Sequence, residues 1–304
     1  MTDTGFFDKL KARFKHADVL MQFIYINVGV FVVLFVTLLI CKLFAVNKEV
    51  IISYLNLPSS FAYYIKRPWT IITYSFLHYE IWHILVNMLF LYSFGRIFLR
   101  IFNGRQLGGL YVIGGIIGGL LYMSAFNIFS YYTGATLSNY PLVGASAAVL
   151  AIVVAPAIVF PDYSVRLFFL KNIRLKYITI IAVVLIVYRD LIGLEIEKNL
   201  GALAHLGGGL TGVCFALAHT KGIDITSPVN KLIDKVINLF KPGPRMKVSY
   251  TSQSEQTRRE TDWDYNARKK RETEEIDRIL DKLKKSGYDC LTSDEKKRLF
   301  NASK

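Results

Sequence analysis

The sequence predicts an all-α polytopic membrane protein, with six spanning helices followed by a small, charged helical tail. Three observations carry that reading. The 304-residue chain is 53% hydrophobic with a mean hydropathy of +0.35, too apolar for an ordinary soluble domain. Six stretches are apolar over close to the ~20 residues that a bilayer core requires. The formal charge of +14 comes from Lys and Arg residues that border those stretches. That basic balance suits a membrane surface, and no nucleic acid partner is expected.

Residues 1–21 form a cytoplasmic amphipathic segment. Phe6, Phe7, Leu10 and Phe14 share one helical face, with several of Lys9, Lys11, Arg13 and Lys15 opposite. The six-helix core covers 22–220, with spans at 22–46, 81–99, 107–130, 143–161, 176–194 and 199–219. The first span is retained: it is too long for a signal peptide, and "CKLFAVNKE" is a poor cleavage site. The loop 47–80 is aromatic, with "LPSSFAYYIKRPW", and suits the membrane interface. In the third span Gly114 with Gly118, and Gly115 with Gly119, make small-xxx-small pairs for close helix packing. The fourth and sixth spans are short or rich in Gly and Ala, which suits buried helices. Further outer loops fall at 131–142 and 195–198.

Lys and Arg set the orientation. The basic residues before the first span, Arg96, Arg100 and Arg105 after the second, and Arg166, Lys171, Arg174 and Lys176 after the fourth all share one side, as does the basic tail after Lys221. They outnumber Lys48, Lys66 and Arg67 on the other. Both termini are therefore expected in the cytoplasm, and the membrane is read as a bacterial cytoplasmic membrane.

Residues 221–245 form an amphipathic interfacial helix, with Ser227 as N-cap and Pro228 at the first helical position. Its stripe is Val229, Leu232, Ile233, Val236, Ile237 and Phe240. This helix and the N-terminal one either lie on the cytoplasmic leaflet or pack on the protein's own cytoplasmic face. Residues 246–264 are a polar linker, and 265–304 a short charged helical hairpin. Its first helix runs from Ala267 to about Gly287; Thr292 and Glu295 make a capping box for the second. Leu280, Leu283, Leu291, Leu299 and Phe300 are expected to pack it. It is too small for a catalytic domain and suits docking of a cytoplasmic partner. Cys41, Cys214 and Cys290 form no spaced cluster, so neither a disulfide frame nor a zinc site is implied.

The polar residues inside the apolar stretches are the functional candidates. "FLHYEIWHILVNMLF" puts His78 at the mouth of the second span, with His83 and Asn87 inside it. "PLVGASAAVL" starts the fourth with Ser146, and "GALAHLGGGLTG" sets His205 in the sixth. All three spans start on the outer side, so Ser146, His83, Asn87 and His205 share a layer roughly 3–9 Å deep at 1.5 Å per residue. Singly, Ser146 reads as small-residue packing, and the His83–Asn87 pair as interhelical hydrogen-bonding. Together they compose a reaction centre. His205 can take the Ser146 proton, while the Ser146 N–H, His83 and Asn87 can donate to an oxyanion. Gly208 and Gly212, one turn apart, let the sixth helix approach the fourth. Asp190 as an orienter of His205 competes with an ion pair to Arg189, so a dyad is expected. A metal held by His78, His83 and His205 is the rival, but no Cys, Asp or Glu completes its shell. No metal or cofactor is expected.

At "HYEIWHILVN", "GASA" and "AHLGGGLTG" the sequence resembles the rhomboid intramembrane serine proteases, over about residues 20–220. The resemblance implies Ser146 as nucleophile, His205 as base and His83 and Asn87 as oxyanion partners. Gly144 matches the glycine two before the family's serine. It also implies membrane-anchored protein substrates with a single span, cut in or near that segment. The sequence departs from the family in Ala147, where many members have Gly, which is expected to crowd the oxyanion site. Leu150 stands where some members place an aromatic ring, and Thr70 where some carry Arg. A catalytically silent rhomboid-like protein that binds transmembrane helices is the alternative. A proton-relay transporter would need a polar path through the largely apolar lower halves of these helices.

The topology has a direct test. In a background without the native cysteines, Thr136→Cys and Asn199→Cys should react with an impermeant thiol reagent from outside sealed cells, and Lys241→Cys should not. Labelling of Lys241→Cys would invert the topology.

Overall fold

The computed structural model describes residues 5–133, 140–165, 172–192, 201–240 and 262–302. They form two compact units, Met1–Lys241 and Pro242–Lys304.

Before the bundle, α1 (Phe6–His16) is exposed wherever its side chains are described. The chain then enters α2 (Val19–Leu43), capped by Asp18, whose Oδ1 accepts from the Met21 N–H at 2.8 Å. The other Asp18 oxygen takes Arg96 at 2.7 Å, which ties the start of α2 to the end of α6 (Ile81–Ile101). After α6 come α7 (Gly104–Thr133), α8 (Ser146–Val159), α9 (Leu175–Ile192) and α10 (Gly201–Thr220). Among the described residues four helices, α2, α6, α10 and residues 104–128 of α7, are long and apolar enough to cross a membrane.

The fourth stretch differs most from expectation. A span over 143–161 is predicted, yet the helix starts only at Ser146 and has 14 residues, about 21 Å. Residues Ala147 to Ala157 are buried on every face. Non-helical backbone at membrane depth is tolerated where protein encloses it, and α6, α7, α9 and α10 surround this helix. A two-residue hairpin, β1 (Ser164–Val165) with β2 (Ile173–Arg174), leads from α8 to α9. Asp162 beside it takes Lys176 at 2.8 Å and Arg174 at 3.2 Å.

Between α2 and α6 the chain folds as three short helices, α3 (Lys48–Ser53), α4 (Phe61–Tyr64) and α5 (Thr70–Thr73), then a 3₁₀ turn over Tyr74–Phe76. Its polar groups bind inward. Arg67 donates to the Ser53 carbonyl at 2.6 Å, and Trp69 to the Tyr54 carbonyl at 2.8 Å. Tyr74 donates its hydroxyl to the Gly115 carbonyl, and Tyr111 donates to the Ser75 carbonyl while accepting from Asn27. The aromatic loop is thereby fixed to α7 and α2.

After α10, α11 (Ser227–Phe240) starts one residue earlier than predicted, so Thr226 occupies the cap position. The expected linker lies mostly outside the described residues. In the second unit, α12 (Asp262–Ser286) begins five residues before Ala267, and α13 (Ser293–Ala302) follows. The packed face of α12 is Ile276, Ile279 and Leu283, and Leu280 is 37% exposed at its edge. Positions i, i+3, i+4 and i+7 share a helical face, and Leu280 holds its edge while Ile279 sits at its centre. Leu291 is buried and Leu299 partly so.

The capping box is formed: Glu295 accepts from the Thr292 N–H at 2.7 Å, and its own N–H meets Thr292 Oγ1 at 3.4 Å. The Thr292 N–H first, then Lys282, hold the Glu295 carboxyl below the usual range. A lowered folded-state pKa stabilises at neutral pH, and the effect is lost as pH falls through that pKa. The protection factor of the Thr292 amide should therefore fall as pH drops below about 4.3. Glu295→Gln should abolish that pH dependence, as read by hydrogen exchange corrected for intrinsic rates.

Candidate active site

Ser146 is the first residue of α8, and the turn before it is held from three sides. Leu142 exchanges both backbone bonds with Leu57, at 2.8 and 3.1 Å. The Gly144 N–H donates to the Tyr74 carbonyl at 3.0 Å, and the Ala145 N–H reaches Nε2 of the buried His78 at 3.4 Å. Gly144 has φ of +119°, and a Cβ there would lie 2.7 Å from the His83 ring. Only glycine combines that backbone with that clearance. The His83 ring in turn meets His78 edge-on at 4.9 Å between centroids.

The base candidate arrives from α10. Gly208 lies against the α8 backbone, where a Cβ would be 2.1 Å from the Ala147 carbonyl oxygen. One turn on, a Cβ at Gly212 would be 2.6 Å from the Ala151 oxygen. This approach brings His205 Nε2 to 2.6 Å from Ser146 Oγ. Both side chains line a cavity of about 50 Å³ with Asn87, Val86, Phe90, Val149 and Ile186, so four helices contribute to it. That volume holds a few waters in an otherwise apolar setting.

A hydroxyl 2.6 Å from an imidazole nitrogen is a proton-transfer pair. Around it, the structure brings together Ser146, His205 and Asn87 in one cavity, with His83, Gly144 and His78 behind the turn. Asn87 donates one N–H to the His83 carbonyl of its own helix at 2.9 Å; an amide carries a second. The side chains of Asp190 and Arg189 lie outside the described residues. Among the described residues no group of three or more His, Cys, Asp or Glu is placed to hold a metal.

A family model described as "Rhomboid domain" matches residues 66–221, just over half of the chain and all of the site. The chain belongs to the rhomboid family. Its curated relatives include "RHOMBOID-like protein 12, mitochondrial" of Arabidopsis thaliana, 32% identical over 151 residues, which are 46% of this chain and 43% of that protein. "Presenilin-associated rhomboid-like protein A, mitochondrial" of Danio rerio is 30% identical over 142 residues, 46% of this chain and 35% of the relative. The chain thus aligns with less than half the length of either. Both are mitochondrial by name, so they lend no support to the bacterial membrane expected from the sequence. A second model, "Family of unknown function (DUF6576)", matches residues 260–304.

Within the rhomboid domain, one expected departure resolves differently. Ala147 does not crowd Ser146: its methyl lies against α7, 2.6 Å from where a Cβ at Gly118 would stand. Leu150 lines a second, apolar groove of about 390 Å³ that also touches His205. Thr70 is buried and donates to the Arg67 carbonyl at 2.7 Å. The partners that fix the turn, Leu57 and Tyr74, were not singled out from sequence. A single isolated bridge leaves no periodic signal, and Tyr74 is one of several aromatics in its loop.

Neighbouring glycines on α10 provide the test. Gly208→Ala should destabilise the protein by roughly 1–3 kcal/mol through overpacking against backbone. At Gly209 a Cβ would meet only Leu150 Cδ2, at 3.7 Å. Gly209→Ala should therefore be neutral or stabilising by up to about 1 kcal/mol. Thermal unfolding in detergent reads both.

Proposed function

We propose that this multi-pass membrane protein is an intramembrane serine endopeptidase with a Ser146–His205 dyad. The observation that carries the proposal is the 2.6 Å contact between His205 Nε2 and Ser146 Oγ at the start of an enclosed helix. His205 removes the Ser146 hydroxyl proton as Oγ attacks the scissile carbonyl carbon. The oxyanion is met by the Ser146 N–H, orphaned at the helix start, with His83 and Asn87 as side-chain donors. The imidazolium then gives its proton to the leaving amine as the C–N bond breaks. A water attacks the acyl-enzyme, passes a proton to His205, and releases the acid product with the serine restored.

In this reading α8 and α9 complete a six-helix core, with both termini on the side opposite Ser146. Substrates are membrane-anchored proteins with a single span, cut in or near that segment. Residues of low helix propensity at the cut ease its extension into the cavity. Family membership supports the substrate class, and the burial of the site supports cleavage inside the membrane.

Ser146→Ala and His205→Ala should each abolish cleavage of a transmembrane reporter while the protein stays folded. A fluorophosphonate probe should form an adduct on Ser146. The competing reading, a silent rhomboid-like protein that binds transmembrane helices, predicts no adduct and no cleavage. His83→Ala and Asn87→Ala should each lower turnover by ~10²-fold with little change in KM. Wild-type cleavage by the serine variant would end the protease assignment.

A further inference from the structure

The helix that follows α10 is inside out by the standard of a soluble protein. An amphipathic helix on a globular body ordinarily buries its apolar stripe and exposes its polar face. In α11 the hydrogen bonds and ion pair to the body come from polar residues, with Val229 and Ile233 only partly buried beside them. Asn230 donates to the Arg105 carbonyl at 3.0 Å, and Asp234 pairs with the Arg105 guanidinium. Thr226, fully buried just before the helix, lies where a Cβ on Gly109 would be 2.6 Å away. These contacts recur every four residues, so they mark one face of the helix. Away from them, Leu232 is 62% exposed, Val236 45% and Leu239 76%.

The same contacts fix the height of this stripe. Gly118 of α7 touches Ala147 beside the active-site serine. Gly109, nine residues earlier, is about 14 Å lower at 1.5 Å per residue, towards the start of the span. Between Thr226 and Asp234 the contacts move from Gly109 to Arg105, so α11 runs from one turn inside the span to its edge. That is the depth at which acyl chains give way to headgroups. Lys231 and Lys235 are exposed on the same helix. Arg96, Arg100 and Lys176 stand on the other helices at that end of the bundle. Asp18 pairs with Arg96 and Asp162 with Lys176, so the basic excess around the stripe comes from Lys231, Lys235 and Arg100, and its complement is an anionic surface.

We infer that α11 is a membrane-surface helix: its apolar stripe enters the leaflet on the side opposite Ser146, among anionic phospholipid headgroups met by Lys231 and Lys235. Arg105 and Gly109 of α7 hold its polar face, so the leaflet and the bundle grip opposite sides of one helix. Because α11 continues from α10, this grip bears on the lower end of the helix that carries His205. The inference concerns lipid contact and is independent of the chemistry at Ser146.

The test uses the full chain, without its native cysteines, in vesicles of phosphatidylcholine and phosphatidylglycerol. Bimane is attached at Leu232→Cys, Val236→Cys or Lys235→Cys. With brominated acyl chains, emission from the Leu232 and Val236 labels should fall about twofold, as suits a face sunk ~5–10 Å below the headgroups, and from the Lys235 label much less. Bromine on phosphatidylglycerol should quench more than the same amount on phosphatidylcholine. Equal quenching by the two lipids would overturn the anionic preference. Quenching absent at Leu232 and Val236 would overturn the insertion. Shielding of those labels from aqueous iodide without bromine quenching would do the same, assigning the stripe to a protein cover.

Discussion

The contact on which the rest depends is the one between the backbones of α8 and α10. Where Gly208 crosses Ala147 there is no room for a single methyl group. Inside a bilayer, helices gain little from hiding apolar surface from one another, since lipid is as apolar as they are. What remains is dispersion, which falls off steeply with separation. Glycine supplies it by letting whole backbones touch. The Gly114, Gly118 and Gly207 contacts extend the same arrangement to α7, so three helices are locked at their smallest separations. The Ser146–His205 distance follows from that locking.

A second constraint acts on the non-helical turn before Ser146. Its N–H groups at Leu142, Gly144 and Ala145 are met by Leu57, Tyr74 and His78, all from the loop between α2 and α6. A buried backbone donor left unmatched costs on the order of 1–3 kcal/mol, so these bonds hold the turn in one conformation. Arg67, Trp69 and Tyr74 tie that loop to itself and to α7. The long aromatic loop therefore acts as scaffolding for the serine.

Much of this was legible in the sequence because depth along a helix can be counted. The starts of three apolar stretches located Ser146, His83, Asn87 and His205 in one layer, and the glycine spacing in α10 indicated a close crossing. The placement of Ser146 at the start of α8 was legible from Pro141 and Gly144 before it, but not the partners that hold that turn: Leu57, Tyr74 and His78 all come from a distant loop. Nor was the direction of the Ala147 methyl, because rotation about a wholly apolar helix leaves no amphipathic trace. The centre of the hairpin face falls on Ile279 and not on Leu280 for a related reason. Ile279 and Leu280 are adjacent and equally apolar, and only tertiary packing chooses between them.

The enclosure of α8 has an electrostatic consequence. A helix dipole in water is largely cancelled by solvent around its ends, and its influence is worth only a few tenths of a kcal/mol to about 1 kcal/mol at exposed sites. The α8 helix is walled by other helices along its length, and Ser146 at its start lines a small, largely apolar cavity. Its surroundings are poorly polarisable, so its positive end projects onto Ser146 with little attenuation. Negative charge placed at that mouth would meet a field already oriented to receive it, with no solvent rearrangement needed first.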